Sequence, residues 1–357
     1  MDAPNVTTSG RVTAGRVDAP ETTPAHEATM KAIVQDRYGL PDVAELREID
    51  RPTPKDNQVL VKVHATTVNR TDCGFRAGRP FFVRLFTGLI RPKEMVLGNE
   101  FAGEVEAVGS GVRSLEVGDR VFGYSGLQHG SRFGAHAEYL AMSEHGSLAT
   151  MPANLSYEQA APSTEGAHYA LTMIRTAKIQ RGHDVLVYGA TGAIGSAAVQ
   201  LLKSLGAQVT AVCDTEHLEL VRGLGADRVI DYTVEDFTKD EQRYEVVLDA
   251  VGKSSFFRCR RLLKPGGIYL SSDGGPLNQN LVLVLIAPLV GVVGGKKVLF
   301  RVPRDDQEMV RQFKELLGCG AFRPLIDRRY RLDQIVEAYR YVETGQKIGN
   351  VVISVTS

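Results

Sequence analysis

Three glycines spaced three residues apart, in Gly189-Ala190-Thr191-Gly192-Ala193-Ile194-Gly195, stand between two patterned segments. Before them is the short apolar run Val185-Leu186-Val187, and after them Ser196 to Leu205 carries apolar residues at helical spacing. A buried strand that hands the chain to a helix through such a turn can hold a dinucleotide. The first N–H groups of the helix lack partners of their own, and the positive end of its dipole faces the phosphates. Gly192, without a Cβ, lets the backbone approach a pyrophosphate, and Gly195 lets the helix pack close to the strand. Thr191, Ala193 and Ile194 belong to the same turn and are expected to touch the cofactor. In the G-x-G-x-x-G register the first place is taken by Ala190, with Gly189 one residue earlier. The alternative is a glycine-rich turn without a ligand.

The elements around this turn must come in a particular order. Gly206 sits where a helix C-cap belongs, and Gln208 to Cys213 reads as a second strand, which completes a βαβ unit of about thirty residues. The adenine ribose is then expected against Cys213-Asp214-Thr215-Glu216-His217. Asp214 and Glu216 can accept hydrogen bonds from ribose hydroxyls, and the loop has no Arg or Lys for a 2′-phosphate, so NADH is expected over NADPH. Helices at 218–224 and 256–263 alternate with strands at 228–230, 245–250 and 267–270, which reads as an α/β fold with a doubly wound parallel sheet. Ligands of such sheets bind at the carboxyl ends of the strands. That places Asp214, Val251 with Gly252, and Ser271 with Ser272 around the crevice of Gly192.

Upstream, residues 30 to 155 read as short strands separated by Gly and Asp turns: 30–34, 58–68, 99–108 with a bend at Gly103, 120–123 and 135–142. They suggest a compact antiparallel barrel. Phe81, Phe82 and Phe86 lie among basic residues in 79–93, which is expected to be a loop or helix packed on the barrel rather than the wall of a cleft. Tyr157 to Ala177 reads as helix. Near the end, 297–302 reads as strand, 306–317 as helix, 322–330 as partly extended, 332–343 as helix and 351–355 as strand. Residues 1–29 have no periodicity and are expected to be a disordered tail.

Lys plus Arg and Asp plus Glu both number 42 in the 357 residues, so net charge points to neither nucleic acid nor a membrane surface. The four cysteines, Cys73, Cys213, Cys259 and Cys319, are far apart, which indicates neither a disulfide framework nor a cysteine zinc site. No apolar run is long enough to span a bilayer, and the first 29 residues lack the apolar stretch of a signal peptide. A cytoplasmic location is expected.

Gly39 with Pro41, Val68-Asn69-Arg70-Thr71-Asp72, the LGNEFAG run from Leu97 to Gly103, the VGDRV run from Val117 to Val121, Gly189 to Gly195, Leu224 to Asp227 and Asp249 to Gly252 occur in one order along residues 30 to 355. Together they resemble the medium-chain dehydrogenase/reductase superfamily. The resemblance implies a Rossmann-type dinucleotide-binding domain at 157–300 and a GroES-like β-barrel catalytic domain at 30–156 and 301–357. The family contains zinc alcohol dehydrogenases and zinc-free quinone or enone reductases. Where the zinc branch has Cys, His and Cys, this chain has Asn69, Asn99 and, in about the third place, Glu165, and the cysteines of a structural zinc lobe are missing from 124–136. Two neutral amides and a carboxylate suit a borderline-soft cation poorly. The chain is similar to the zinc-free branch, with no metal site expected. The implied activity is NAD(P)H-dependent reduction of a small quinone or α,β-unsaturated carbonyl.

By the same resemblance Asn69 stands beside the nicotinamide, Thr71 donates to the carbonyl or relays a proton, and Arg70 reaches the pyrophosphate. Tyr232 matches a position that helps to hold a 2′-phosphate in some relatives, which pulls against the NADH reading. Plainer roles compete: Asn69 can satisfy backbone groups in a turn, Thr71 can be a helix N-cap, and Asp72 can be structural. His64, His129, His136 and His168 are scattered and suggest no site. Two rivals remain, an alcohol or aldehyde oxidoreductase and a non-catalytic nucleotide-binding redox sensor. The nearly continuous apolar run Leu281 to Val293, followed by the strand at 297–302, suggests a homodimer, with a buried helix lining the substrate cleft as the alternative.

Overall fold

The computed structural model describes residues 29–81, 83–93, 96–126, 133–273, 295–301, 303–304 and 306–356. Strands β1 (Thr29–Val34) and β2 (Glu45–Asp50) form an antiparallel ribbon. The long strand β3 (Gln58–Val68) is the spine of a sheet with seven strands among the described residues. It pairs antiparallel with β4 (Glu100–Val108), which pairs with β5 (Arg120–Tyr124). Its first residues also pair with β6 (Tyr139–Ser143), and β5 carries β7 (Leu148–Thr150). Val59, Val61 and Val63 alternate along β3 and pack on Phe101, Val105, Val121 and Met142, as β-branched residues on a pleated face do. The bend expected at Gly103 is a register shift between Val63 and Ala65, and a Cβ on Gly103 would strike the Lys62 carbonyl.

Among the described residues the second sheet has six parallel strands in the order β10-β9-β8-β11-β12-β13. These are β8 (Asp184–Tyr188), β9 (Gln208–Cys213), β10 (Arg228–Asp231), β11 (Tyr244–Asp249), β12 (Leu263–Ser271) and β13 (Lys297–Leu299). The order reverses between β8 and β11, where open sheets of this kind form their crevice. The chain then returns to the first sheet: β15 (Asn350–Ser354) lies antiparallel to β3, and β14 (Ile326–Arg331) runs parallel to β15.

Helices α1 (Arg70–Ala77) and α2 (Val83–Thr87) follow β3, so 79–93 holds a short helix, and Phe81 is exposed. The expected helix at 157–177 is broken into α3 (Tyr157–Ala160), a 3-10 turn and α4 (Glu165–Thr176). Pro162 leaves the helical region with ψ 21°, and Thr164 and Glu165 give their N–H groups to the Glu100 carboxylate instead of to a preceding turn. Helices α5 (Ala193–Leu205), α6 (Leu218–Gly223), α7 (Phe256–Cys259), α8 (Gln307–Gly318) and α9 (Ile335–Glu343) complete the set used here.

Other expectations shift at their edges. The strand expected from Ala135 begins at Tyr139, because residues 136–138 cross to β1 and bond Ile33 and Lys31. The strand after Gly267 already starts at Leu263. The strand at 297–302 is only three residues long. The tail to residue 28, Phe82, His129 and the run Leu281 to Val293 lie outside the described residues. Among the described residues no helix is long and apolar enough to cross a membrane.

Candidate active site

The glycine turn links β8 to α5. Gly189 has φ 83°, and a Cβ there would strike the Val251 side chain, while Ala190 is fully buried. Gly189, not Ala190, therefore makes the tight bend. A Cβ on Gly195 would fall on the Gly189 carbonyl, so this glycine allows the close packing of α5 on the strand end. Gly192 differs: a Cβ would meet no protein atom closer than 3.7 Å. The contact is an ordinary one, so nothing in the protein demands glycine there. Gly192 is the N-cap of α5 and offers no side chain to the helix, whose first N–H groups include those of Ala193 and Ile194.

The carboxyl ends of the parallel strands gather the other expected residues. Val251 touches Gly189, and Ser271 lies in register with Asp249. Asp249 is buried, and burial raises its pKa; its carboxylate accepts the N–H groups of Val251 (3.2 Å), Gly252 (2.8 Å) and Ser254 (2.9 Å). It fixes the β11 loop, a role not read from sequence. Asp214 follows β9 and is paired with His217, and Glu216 is exposed. The Tyr232 N–H bonds the Cys213 carbonyl at 3.0 Å, which sets this half-exposed phenol beside Asp214. Burial first, then the Asp214 charge, raise the Tyr232 pKa.

On the opposite side stands α1. Asn69, rather than Thr71, is its N-cap: the Asn69 side chain accepts the Asp72 N–H (2.9 Å), and Asp72 accepts the Asn69 N–H (3.0 Å). The Asn69 amide also donates to the Asn99 side-chain oxygen at 2.8 Å, and both residues are buried. Asn99 Nδ2 is buried without a partner among the described residues. Thr71, in the first turn of α1, is half-buried and donates its hydroxyl to Glu165. Arg70 is exposed at the helix start. Asp72 is buried, which raises its pKa, and the Glu165 and Glu100 charges add to the shift.

Two segments distant in sequence meet at the glycine turn. Gly166, the second residue of α4, packs against Ala193, and a Cβ there would stand 2.9 Å from it. The Gly349 N–H bonds the Thr191 carbonyl at 2.7 Å. Lys347 bonds the Gly349 carbonyl; burial lowers its pKa, while Glu165, Glu100 and Asp327 oppose the shift. Under all of them Glu100, fully buried, accepts from the Thr67 hydroxyl (2.7 Å), from Thr164 N–H and hydroxyl (3.0 and 2.8 Å) and from Glu165 N–H (2.6 Å). Glu100 and Lys347 were not singled out from sequence. The segment Asn99 to Val108 has three glutamates, Glu100, Glu104 and Glu106, and nothing in their spacing sets Glu100 apart.

His136 and His168 bond the Thr67 and Arg304 carbonyls through Nε2 at 2.7 and 2.8 Å. Burial holds both pKa values down at about 4, so both rings are neutral near pH 7. Among the described residues no group of three or more His, Cys, Asp or Glu is arranged to hold a metal. A cavity of about 570 Å³ beside Gln200, Lys203 and Arg323 has none of the expected site residues in its wall.

The chain is similar to known proteins in sequence and fold. Residues 55–153 match the family model described as alcohol dehydrogenase GroES-like domain, and residues 224–353 match the one described as zinc-binding dehydrogenase. A 2-methylene-furan-3-one reductase of Solanum lycopersicum is 33% identical over 332 residues, covering 91% of this chain and 79% of that protein. A chloroplastic NADPH-dependent alkenal/one oxidoreductase of Arabidopsis thaliana is 31% identical with the same coverage. The quinone oxidoreductase of Coxiella burnetii superposes with a TM-score of 0.81 at 28% identity, over 92% of this chain and all of that one. With these likenesses over nearly its whole described length, the chain belongs to the medium-chain dehydrogenase/reductase superfamily and is an NAD(P)H-dependent oxidoreductase.

Proposed function

We propose that the protein is a zinc-independent reductase of quinones or α,β-unsaturated carbonyls. One observation carries the reading. At the positions where the resemblance puts the ligands of the zinc branch, Asn69 and Asn99 are bonded to each other, and Glu165, in about the third place, is bonded to Thr71. These groups donate and accept hydrogen bonds; they do not form a soft ligand set. The names of the tomato and Arabidopsis relatives, an enone-type reductase and an alkenal/one oxidoreductase, agree with it.

The residues present fit a nicotinamide dinucleotide. The α5 N-terminus, capped by no side chain at Gly192, suits a diphosphate at the N–H groups of Ala193 and Ile194; Thr191, Gly195, Val251 and Ser271 are the residues we assign to the crevice, and Arg70 to the pyrophosphate. When bound, the reduced cofactor supplies a hydride. Negative charge then develops on the substrate oxygen, and without a Lewis acid the chain must meet it with donors. Thr71 is the leading donor. Asn69 holds α1 through its cap and keeps one amide hydrogen for the same oxygen. Steady oxidation of NADH or NADPH by a panel of quinones, enones and aldehydes, with reduction of NAD+ or NADP+ by alcohols followed alongside, tests the reading. Turnover confined to alcohols and aldehydes would overturn it in favour of an alcohol dehydrogenase, and no turnover at all in favour of a nucleotide-binding sensor.

For the cofactor we infer a preference for NADH, supported by Asp214 and Glu216 and by the lack of Arg or Lys in 213–217. A 2′-phosphate beside Asp214 costs on the order of 1–3 kcal/mol at an effective dielectric near 20. The expected kcat/KM ratio is about tenfold in favour of NADH, and Asp214→Ser with Glu216→Arg is expected to reverse it. Equal or better efficiency with NADPH, the cofactor named for the Arabidopsis relative, would show that Tyr232 and His217 outweigh the loop charge.

The domain division we adopt is 30–156 with 301–357 around a nucleotide-binding unit at 157–300, supported by β14 and β15 joining the sheet of β3. We also take the chain as a cytoplasmic homodimer. Its four cysteines are free, and among the described residues β13 is the last strand of its sheet, with an edge that can pair across a two-fold axis. Light scattering that returns a monomer at micromolar concentration removes the dimer. Membrane or organelle fractions holding the native protein remove the cytoplasm.

A further inference from the structure

Glu165 holds a place that cofactor binding alone does not require. It opens α4, accepts the Thr71 hydroxyl hydrogen at Oε1, and gives its own N–H to Glu100 at 2.6 Å. It is 6% exposed, and its neighbour Gly166 packs on Ala193 at the head of α5. The charged and titratable groups around it come from each adjoining element. Asp72 lies on α1, Glu100 on β4 and Lys347 on the C-terminal loop, and the charge of Glu165 is felt at both Asp72 and Lys347. His168, one turn along α4, is turned to the Arg304 carbonyl.

A carboxyl in this position has two states with opposite consequences for Thr71. Ionised, it takes the hydroxyl hydrogen, and Thr71 has none left for a substrate. Protonated, it donates to Thr71 Oγ1 and frees that hydrogen. We infer that Glu165, acting through Thr71, is the proton reservoir for the reduction and decides when Thr71 can donate. This rests on the enone or quinone reading above.

The step balances. Hydride addition to the β-carbon of an enone forms a C–H bond and moves the π pair onto the carbonyl oxygen. The Thr71 O–H bond breaks as the enol O–H forms. The Glu165 carboxyl O–H breaks as the Thr71 hydroxyl is restored, and Glu165 is left ionised until water reprotonates it. The enol returns to the ketone by tautomerisation. A quinone, as the hydroquinone anion, takes the same single proton.

The test compares wild type with Glu165→Gln, which keeps the shape and can hold Thr71 but cannot pass a proton. In the reductive direction wild-type kcat is expected to fall with rising pH in a one-proton limb as Glu165 ionises. E165Q is expected to lose the limb and about a hundredfold in kcat, with the KM for cofactor nearly unchanged. Glu165→Asp is expected to restore part of the rate and the limb, and it carries the test alone if E165Q does not fold. Thr71→Val and the double variant T71V/E165Q are expected to be equally slow, because Glu165 works only through Thr71. A second readout needs no turnover. Infrared difference spectra of protein titrated with NAD+ are expected to show a pH-dependent protonated-carboxyl band that E165Q removes and T71V shifts. The buried carboxyls of Asp72 and Asp249 contribute bands of their own; a wild-type pH profile in E165Q, or carboxyl spectra identical in wild type and E165Q, overturns the inference. Failure of wild type to reduce any enone or quinone would instead refute the proposed function, and the infrared band would still decide on the Glu165–Thr71 proton.

Discussion

Glu100→Ala is expected to destabilise the protein by about 3–5 kcal/mol, through loss of a buried carboxylate that several donors share. The side chain accepts from the Thr67 hydroxyl, from both donors of Thr164 and from the Glu165 N–H. The two N–H groups open α4 after the break at Pro162, so removing Glu100 strands the start of that helix as well as two hydroxyls. Glu100→Gln keeps one acceptor oxygen, and the Thr67 hydroxyl can turn to accept from the new amide. Its cost is expected to stay within about 1 kcal/mol. Urea unfolding of the three proteins measures both effects. An E100A midpoint equal to wild type would mean that the four donors find water and that Glu100 does not hold β3, β4 and the start of α4 together.

The second large effect is on turnover. Thr71→Val removes the hydroxyl while keeping the β-branched shape, so the first turn of α1, capped by Asn69 and Asp72, is retained. If Thr71 is the donor to the substrate oxygen, kcat for enone reduction is expected to fall by about 10²–10³. Cofactor affinity, measured by fluorescence titration, is expected to change little. Thr71→Ser restores a hydroxyl and most of the rate. A T71V enzyme within about threefold of wild type would transfer the donor role to Asn69, whose second amide hydrogen is uncommitted.

What could be read from sequence follows the range of the interactions involved. The glycine turn was legible because its strand, bend and helix are neighbours in the chain. Even so, the tight bend belongs to Gly189, since a left-handed φ of 83° there is a matter of backbone fit that the motif register does not encode. The capping box at α1 was half legible. Asn and Thr are both acceptable caps, and only the register of Asp72, three residues on, selects Asn69. The break at Pro162 was open to view, but the helical spacing from Tyr157 to Ala177 outweighed it. Glu100, Lys347 and the pairing of Thr71 with Glu165 were not legible. Thr71 and Glu165 stand 94 residues apart, and Glu100 meets Thr164 across 64, so only the packing of β3 and β4 against α4 brings them together. Periodicity carries no information at that range.

The zinc-independent reductase reading is tested most directly by one assay. Protein is passed over a chelating resin, its zinc content is determined, and turnover of a simple enone with NADH is followed to saturated product. The account predicts saturable turnover, one NADH consumed per product, with well under one zinc per chain and no gain on adding zinc. Loss of turnover with the metal, and its return with about one equivalent of zinc, would contradict it and make Asn69, Asn99 and Glu165 a metal site after all.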